Sequence, residues 1–168
     1  MKIERNLFIP GKLDYVRGVK PDVPCILCAI RDGDEQVVRL EVGRTKRMVI
    51  SLNLFPYNPG HLLIFPLRHI TDLREMSEAD ALEIHRLLHE LMDILESVYG
   101  PRGFNIGYNV GATSGASIEH LHCHIVPRHR NETGVLEIVS GGTRVIVEDP
   151  VVTLEKLREA WQSRGKKD

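Results

Sequence analysis

The segment His120-Leu121-His122-Cys123-His124 places three imidazoles at alternate positions. On an extended strand, side chains at i, i+2 and i+4 share one face. The spacing therefore predicts rings roughly 6–7 Å apart, with Leu121, Cys123 and Ile125 on the opposite face. Imidazole fills a core poorly and titrates near neutrality, so a repeated row points to chemistry. Two uses fit: a metal site, or a nucleophile with acid–base helpers. A neutral imidazole nitrogen attacks phosphorus competently, and neighbouring rings can hold its tautomer or protonate a leaving oxygen. Just upstream runs Gly111-Ala112-Thr113-Ser114-Gly115-Ala116-Ser117. Small residues let backbone N–H groups approach an anion closely. Ser117 adds a hydroxyl and Asn109 an amide, so the loop is a candidate phosphate cradle beside the imidazoles.

A second group is Cys25-Ile26-Leu27-Cys28. This C-x2-C suits a zinc knuckle, a redox pair or two free thiols. A redox pair normally opens a helix in a βαβ unit, and the surrounding arm does not read that way. Zinc needs two further ligands, for which His61, His69 and the imidazole row are candidates. His85 and His89 stand four apart on a helical segment but flank its apolar stripe, so they read as solvated surface. His129 has no evident partner, and Cys123 reads as core.

These residues need a frame. Residues 1–24 contain Pro10, Pro21 and Pro24 and few apolar positions, which predicts an extended arm. Val37–Glu41 and Arg47–Ser51 predict a hairpin around Gly43-Arg44-Thr45. His61–Phe65 predicts a buried strand stopped by Pro66. Met76–Tyr99 predicts the longest helix, with Ser77 as a good N-cap, Ile84, Leu87, Leu88, Leu91, Ile94, Leu95 and Val98 on the 3.6-residue period and Gly100-Pro101 as its stop. Phe104–Val110 and His120–Pro127 predict strands. Gly134–Val139 with Arg144–Glu148 predicts a terminal hairpin, and Val152–Ser163 a closing helix. This order gives an α+β domain with a mostly antiparallel sheet.

The 168 residues suit one domain with its own core. We divide it into an arm (1–24), a core (25–128) and a C-terminal extension (129–168). With 22 Lys+Arg against 23 Asp+Glu, the net charge of −1 argues against a nucleic-acid polymer as partner. No apolar run approaches a membrane span, and the first residues lack a signal-peptide core. Three cysteines suit a reducing cytoplasm better than a disulfide framework.

The stretch Asn53-Leu54-Phe55-Pro56-Tyr57-Asn58-Pro59-Gly60-His61-Leu62-Leu63-Ile64-Phe65-Pro66-Leu67-Arg68-His69, with Gly115-Ala116-Ser117 and His120–Arg128, resembles the histidine triad (HIT) superfamily. Its pattern is His-x-His-x-His followed by two apolar residues, here Ile125-Val126. The Asn58-Pro59-Gly60-His61 segment is similar to the branch of Fhit-type dinucleoside polyphosphate hydrolases and bacterial diadenosine tetraphosphate phosphorylases. Leu7–Tyr15 resembles the N-terminal arm of the second group. In that group Trp usually follows the Pro-Arg pair, where this chain has His129.

The resemblance implies a five-stranded antiparallel sheet carrying one long helix, paired as a homodimer. It implies nucleotidyl transfer or hydrolysis at the α-phosphate of a nucleotide or dinucleoside polyphosphate. By motif position His122 is the nucleophile, His124 contacts phosphate oxygens or the leaving group, and His61 orients the row. Ser117 and the Gly115, Ala116 and Ser117 amides steady the phosphate, Asn53 holds the ribose and Asn109 lies on the phosphate side. The resemblance also implies structural zinc on Cys25, Cys28, His69 and His120. A Hint-type nucleoside phosphoramidate hydrolase and a non-catalytic nucleotide-binding regulator are the alternative readings.

Overall fold

The computed structural model describes residues 21–129 and 148–164. Most of the expected arm and the hairpin expected over residues 134–148 lie outside them, apart from Glu148. The chain order is α1 (Ile26–Asp32), β1 (Glu41–Arg44), β2 (Met48–Leu52), β3 (Leu62–Pro66), α2 (Glu78–Tyr99), β4 (Gly103–Tyr108), β5 (Cys123–Arg128) and α3 (Pro150–Ser163). Short 3-10 turns precede α2 at Leu73–Glu75 and follow β4 at Ala112–Ser114. The strands form one sheet in the order β1-β2-β3-β5-β4, every neighbour antiparallel.

Alternation along the central strands sorts side chains to two faces. Met48, Ile50, Leu62, Ile64, Cys123 and Ile125 turn to a core shared with Ile84, Leu87, Leu91 and Leu95 of α2 and Leu154, Leu157 and Trp161 of α3. Val49, Leu63 and Phe65 turn to the other face, under Leu27, Ala29 and Ile30 of α1. β3 is buried on both sides, which is why it reads as an uninterrupted apolar run.

The helix ends follow local chemistry. Ser77 caps α2, its hydroxyl accepting from the Asp80 N–H while Asp80 returns a bond to Ser77. Gly100 closes α2 at φ +54°. α3 starts at Pro150 behind the Asp149 cap, two residues earlier than the apolar period suggested. Trp161 lies so close to β1 that a side-chain carbon on Gly43 would stand 2.1 Å from the indole nitrogen.

Other expectations shift as well. The first strand runs over Glu41–Arg44 instead of Val37–Glu41, because the Thr45 hydroxyl accepts from the Arg47 and Met48 amides and so sets the turn later. The Cys25–Cys28 segment, placed at the start of the core with no helix assigned to it, opens one: the Cys25 thiol accepts from the Cys28 N–H as its cap, and Gly33 ends it at φ +81°. The last strand starts at Cys123, not His120. Ahead of it, the Leu121 N–H goes to the Ile70 carbonyl and the His120 carbonyl accepts from a side chain, so no strand ladder forms there. No described helix is long and apolar enough to cross a membrane.

Candidate active site and metal cluster

The imidazole row sits where β5 begins, on the α1 side of the sheet. His124 pairs with Leu63 of β3 and Gly107 of β4, while His122 and His120 lie on the approach. The His122 and His124 rings are 4.7 Å apart, closer than an ideal strand would set them.

Backbone partners fix the proton on each ring. His122 is 5% exposed and its Nδ1 lies 2.7 Å from the His120 carbonyl oxygen. A carbonyl only accepts, so Nδ1 carries the hydrogen and Nε2 keeps its lone pair. Burial lowers the pKa of His122, the bond to the His120 carbonyl opposing it, so the ring is neutral and nucleophilic near pH 7.

His61, fully buried before β3, receives the Tyr57 N–H on Nδ1 at 3.1 Å. Neutral His61 therefore carries its hydrogen on Nε2, which donates to His124 Nδ1 at 2.9 Å. That puts the His124 hydrogen on Nε2, a buried atom with no partner. Such an orphan donor costs about 1–3 kcal/mol, and an oxygen of a bound ligand would satisfy it. Burial and then the neighbouring His122 lower the His124 pKa to about 4, so this ring too is neutral.

The loop from Asn53 to His61 is built to hold this arrangement. Gly60 takes φ +80°, with Leu95 and Tyr99 of α2 closing the space where a side chain would stand. The Asn58 amide donates to the Pro127 carbonyl at 2.6 Å, tying the loop to β5. The Tyr57 ring stacks on His61 at 5.1 Å between centroids. Asn53 Nδ2 lies 3.3 Å from His61 Nδ1. Tyr57, Asn58 and the Pro127 carbonyl were not singled out from sequence. An aromatic beside an Asn-Pro-Gly-His turn was the available signal.

Cys25, Cys28, His69 and His120 converge, their donor atoms all within 4.8 Å of one another. His120 Nε2 meets the Pro66 carbonyl at 3.0 Å, so the hydrogen sits there and Nδ1 turns its lone pair to the two sulfurs, 3.6 and 3.5 Å away. His69 Nδ1 lies 3.3 Å from the Cys28 sulfur. Metal-binding imidazoles characteristically donate their other N–H to a carbonyl in this way. Two thiols and two imidazoles are a donor set suited to a tetrahedral site, and the cluster is able to hold a metal ion. Without one, burial and then the bond to Cys25 raise Cys28 to about 11, while burial and then His69 lower His120 to about 4.

The glycine loop is looser. Gly115 and Ser117 are exposed and Ala116 is half-buried. Among the described residues, neither Ser117 nor Asn109 hydrogen-bonds an imidazole. Ser117 instead lines a cavity of about 270 Å³ with Cys25, His69 and His120. His85 and His89 are exposed on α2, their rings 4.6 Å apart. Cys123 is fully buried.

The chain belongs to the HIT domain family, whose model matches residues 35–131. It is 38% identical over 123 residues to an AP-4-A phosphorylase of Mycobacterium tuberculosis (strain CDC 1551 / Oshkosh), covering 73% of this chain and 63% of that protein. It is 28% identical over 96 residues to an asymmetrical bis(5'-nucleosyl)-tetraphosphatase of Schizosaccharomyces pombe, covering 57% of this chain and 53% of that one. The chain thus spans less than two thirds of either relative. A Zn-bound histidine triad family protein from Mycobacterium smegmatis superposes with a TM-score of 0.71 at 21% identity, over 86% of this chain and 98% of the other. The expected five-stranded HIT-like fold is therefore present.

Proposed function

We propose that this chain is an enzyme that cleaves dinucleoside polyphosphates, such as diadenosine tetraphosphate, at the α-phosphate through a nucleotidyl-His122 intermediate. The observation that carries the reading is the 2.7 Å bond from His122 Nδ1 to the His120 carbonyl, which leaves Nε2 as a neutral nucleophile. His122 Nε2 attacks the α-phosphorus, and the bond from phosphorus to the bridging oxygen breaks. The leaving nucleoside polyphosphate departs with that electron pair. His124 Nε2–H donates to a phosphate or leaving oxygen as charge develops there. His61 is a positioning residue that keeps the His124 hydrogen on Nε2.

An acceptor then displaces the nucleotidyl group from His122. The name of the 38% identical relative favours inorganic phosphate over water. With diadenosine tetraphosphate, attack by His122 releases ATP, and phosphate then takes the adenylyl group as ADP, whereas water would release AMP. Ser117 and the Gly115–Ser117 amides would steady the phosphate once the loop meets substrate, with Asn53 toward the ribose and Asn109 toward the phosphates. Cys25, Cys28, His69 and His120 would hold zinc. Four protein ligands leave no open position, so zinc held there would supply a structural tie between α1 and the approach to β5. The histidine triad family protein from Mycobacterium smegmatis is Zn-bound, which supports the choice of metal. We place the protein in the cytoplasm, as its free thiols suggest, and as a homodimer, testable by light scattering.

The test is product analysis with diadenosine tetraphosphate, with and without phosphate. ADP plus ATP formed only with phosphate supports the reading. Turnover that survives His122→Ala defeats it.

A further inference from the structure

A second polar cleft lies at the far edge of the sheet. It encloses about 340 Å³ and is lined by Arg39, Glu41, Val42, Arg44 and Arg158. Three guanidiniums thus face one carboxylate, in a chain whose net charge is −1. The arginines come from three places: the segment before β1, β1 itself and α3. β2 and β3 stand between β1 and β5, so the cleft is roughly 14 Å from the imidazole row, counted as three strand spacings.

Two of the three arginines are held in place. Arg44 makes a two-pronged contact with Glu41, at 2.7 and 2.6 Å, and its Nη2 also donates to the Arg31 carbonyl. Arg158 Nε donates to the Glu41 carbonyl at 2.7 Å. One turn on, Trp161 packs against Gly43 and sets where α3 crosses β1. These bonds occupy Arg158 Nε and Arg44 Nε and Nη2, leaving the other Nη groups unused. Arg39 is exposed and bonds no described residue. Among the described residues, Asp32 is a further carboxylate that acts on Arg44, and it is paired with Arg31 at 2.6 Å. Among the residues that line the cleft, Glu41 therefore neutralises one guanidinium, and two positive charges are left on one concave surface.

We propose that this cleft is a binding site for a phosphate group, separate from the imidazole row. The planar guanidinium fork matches phosphate oxygens in pairs, and two forks fixed by the fold leave little side-chain entropy to lose. The ligand is either free inorganic phosphate or the phosphate of a mononucleotide, since both present the same dianionic oxygens. Occupancy would tie α3 to β1 through Arg158 and Arg44. This inference stands whether or not His122 is the nucleophile.

The test is side-chain NMR of arginine Nε–H groups in the full chain, titrated with inorganic phosphate, with AMP, and with chloride at matched ionic strength. Saturable shifts at Arg44 and Arg158, about tenfold weaker in affinity in Arg39→Ala and unchanged in His122→Ala, support the site. Shifts with phosphate alone assign the free anion, and shifts with AMP assign the nucleotide phosphate. No saturable shift with either, equal shifts with chloride, or full affinity in Arg39→Ala overturns it. Because Arg39 bonds no described residue, its removal leaves the fold intact, and backbone spectra check this.

Discussion

At the scale of single residues, the site works by deciding where hydrogens sit. The His120 and Pro66 carbonyls and the Tyr57 amide each remove one choice from a ring that would otherwise have two tautomers. His61→Ala removes the donor to His124 Nδ1, so the His124 hydrogen is free to move off Nε2. We expect kcat to fall by about 10²-fold, the lower end of general acid–base effects, with KM little changed. His61→Gln, which keeps an N–H toward His124, should recover part of the loss. Steady-state kinetics reads both, and equal effects on kcat and KM in both variants would reduce His61 to a packing role. The alternating histidines were legible in sequence because imidazole is so poor a core residue. Their tautomers were not, because a carbonyl acceptor such as that of Pro66 leaves no trace in residue identity.

At the scale of elements, α2 was the most legible part, since Ser77, Asp80 and Gly100 write its ends locally. The histidine segment was legible only in part: it alternates like a strand, yet Ile70 draws the Leu121 amide away from the ladder. α1 went unseen because seven residues carry little periodicity and a cysteine supplies the cap. Two predictions belong here. Gly43→Ala would push a methyl into the Trp161 indole, costing about 1–3 kcal/mol by overpacking, measurable by urea denaturation. Asp80 is buried at the start of α2, accepting from the Ser77 hydroxyl at 2.6 Å and pairing with Arg47 and Arg68 at 3.2 and 3.1 Å. The Ser77 bond, then other contacts including both arginines, hold its carboxyl below the ordinary range against burial. A depressed folded pKa gives stability that is fully present above the unfolded value of about 3.9 and lost as pH falls through the folded value. Asp80→Asn should therefore cost about 1–2 kcal/mol at pH 7, the partners being half-exposed. The gap to wild type should close below pH 4, as followed by denaturation at a series of pH values.

At the scale of the whole molecule, α1 and the imidazole row lie on one face of the sheet, with the Cys25–Cys28–His69–His120 cluster between them. The cluster's membership could not be read from spacing, because Cys28 and His120 are 92 positions apart and only the fold joins them. A bound metal should appear first in stability. Cys25→Ser keeps an oxygen able to cap α1, so its effect isolates the loss of a ligand. We expect chelation or Cys25→Ser to lower Tm by about 5–10 °C in thermal scans, with turnover at low temperature largely kept. A Tm unmoved by both would remove the metal from the account.

The proposed cleavage turns on a covalent bond between His122 and a nucleotide. Intact-protein mass spectrometry after rapid acid quench of the chain with diadenosine tetraphosphate, without phosphate, tests it most directly. One adenylyl adduct per chain is expected, mapped to His122 and absent from His122→Ala. An adduct on another residue, or turnover with no adduct at any time sampled, would contradict it.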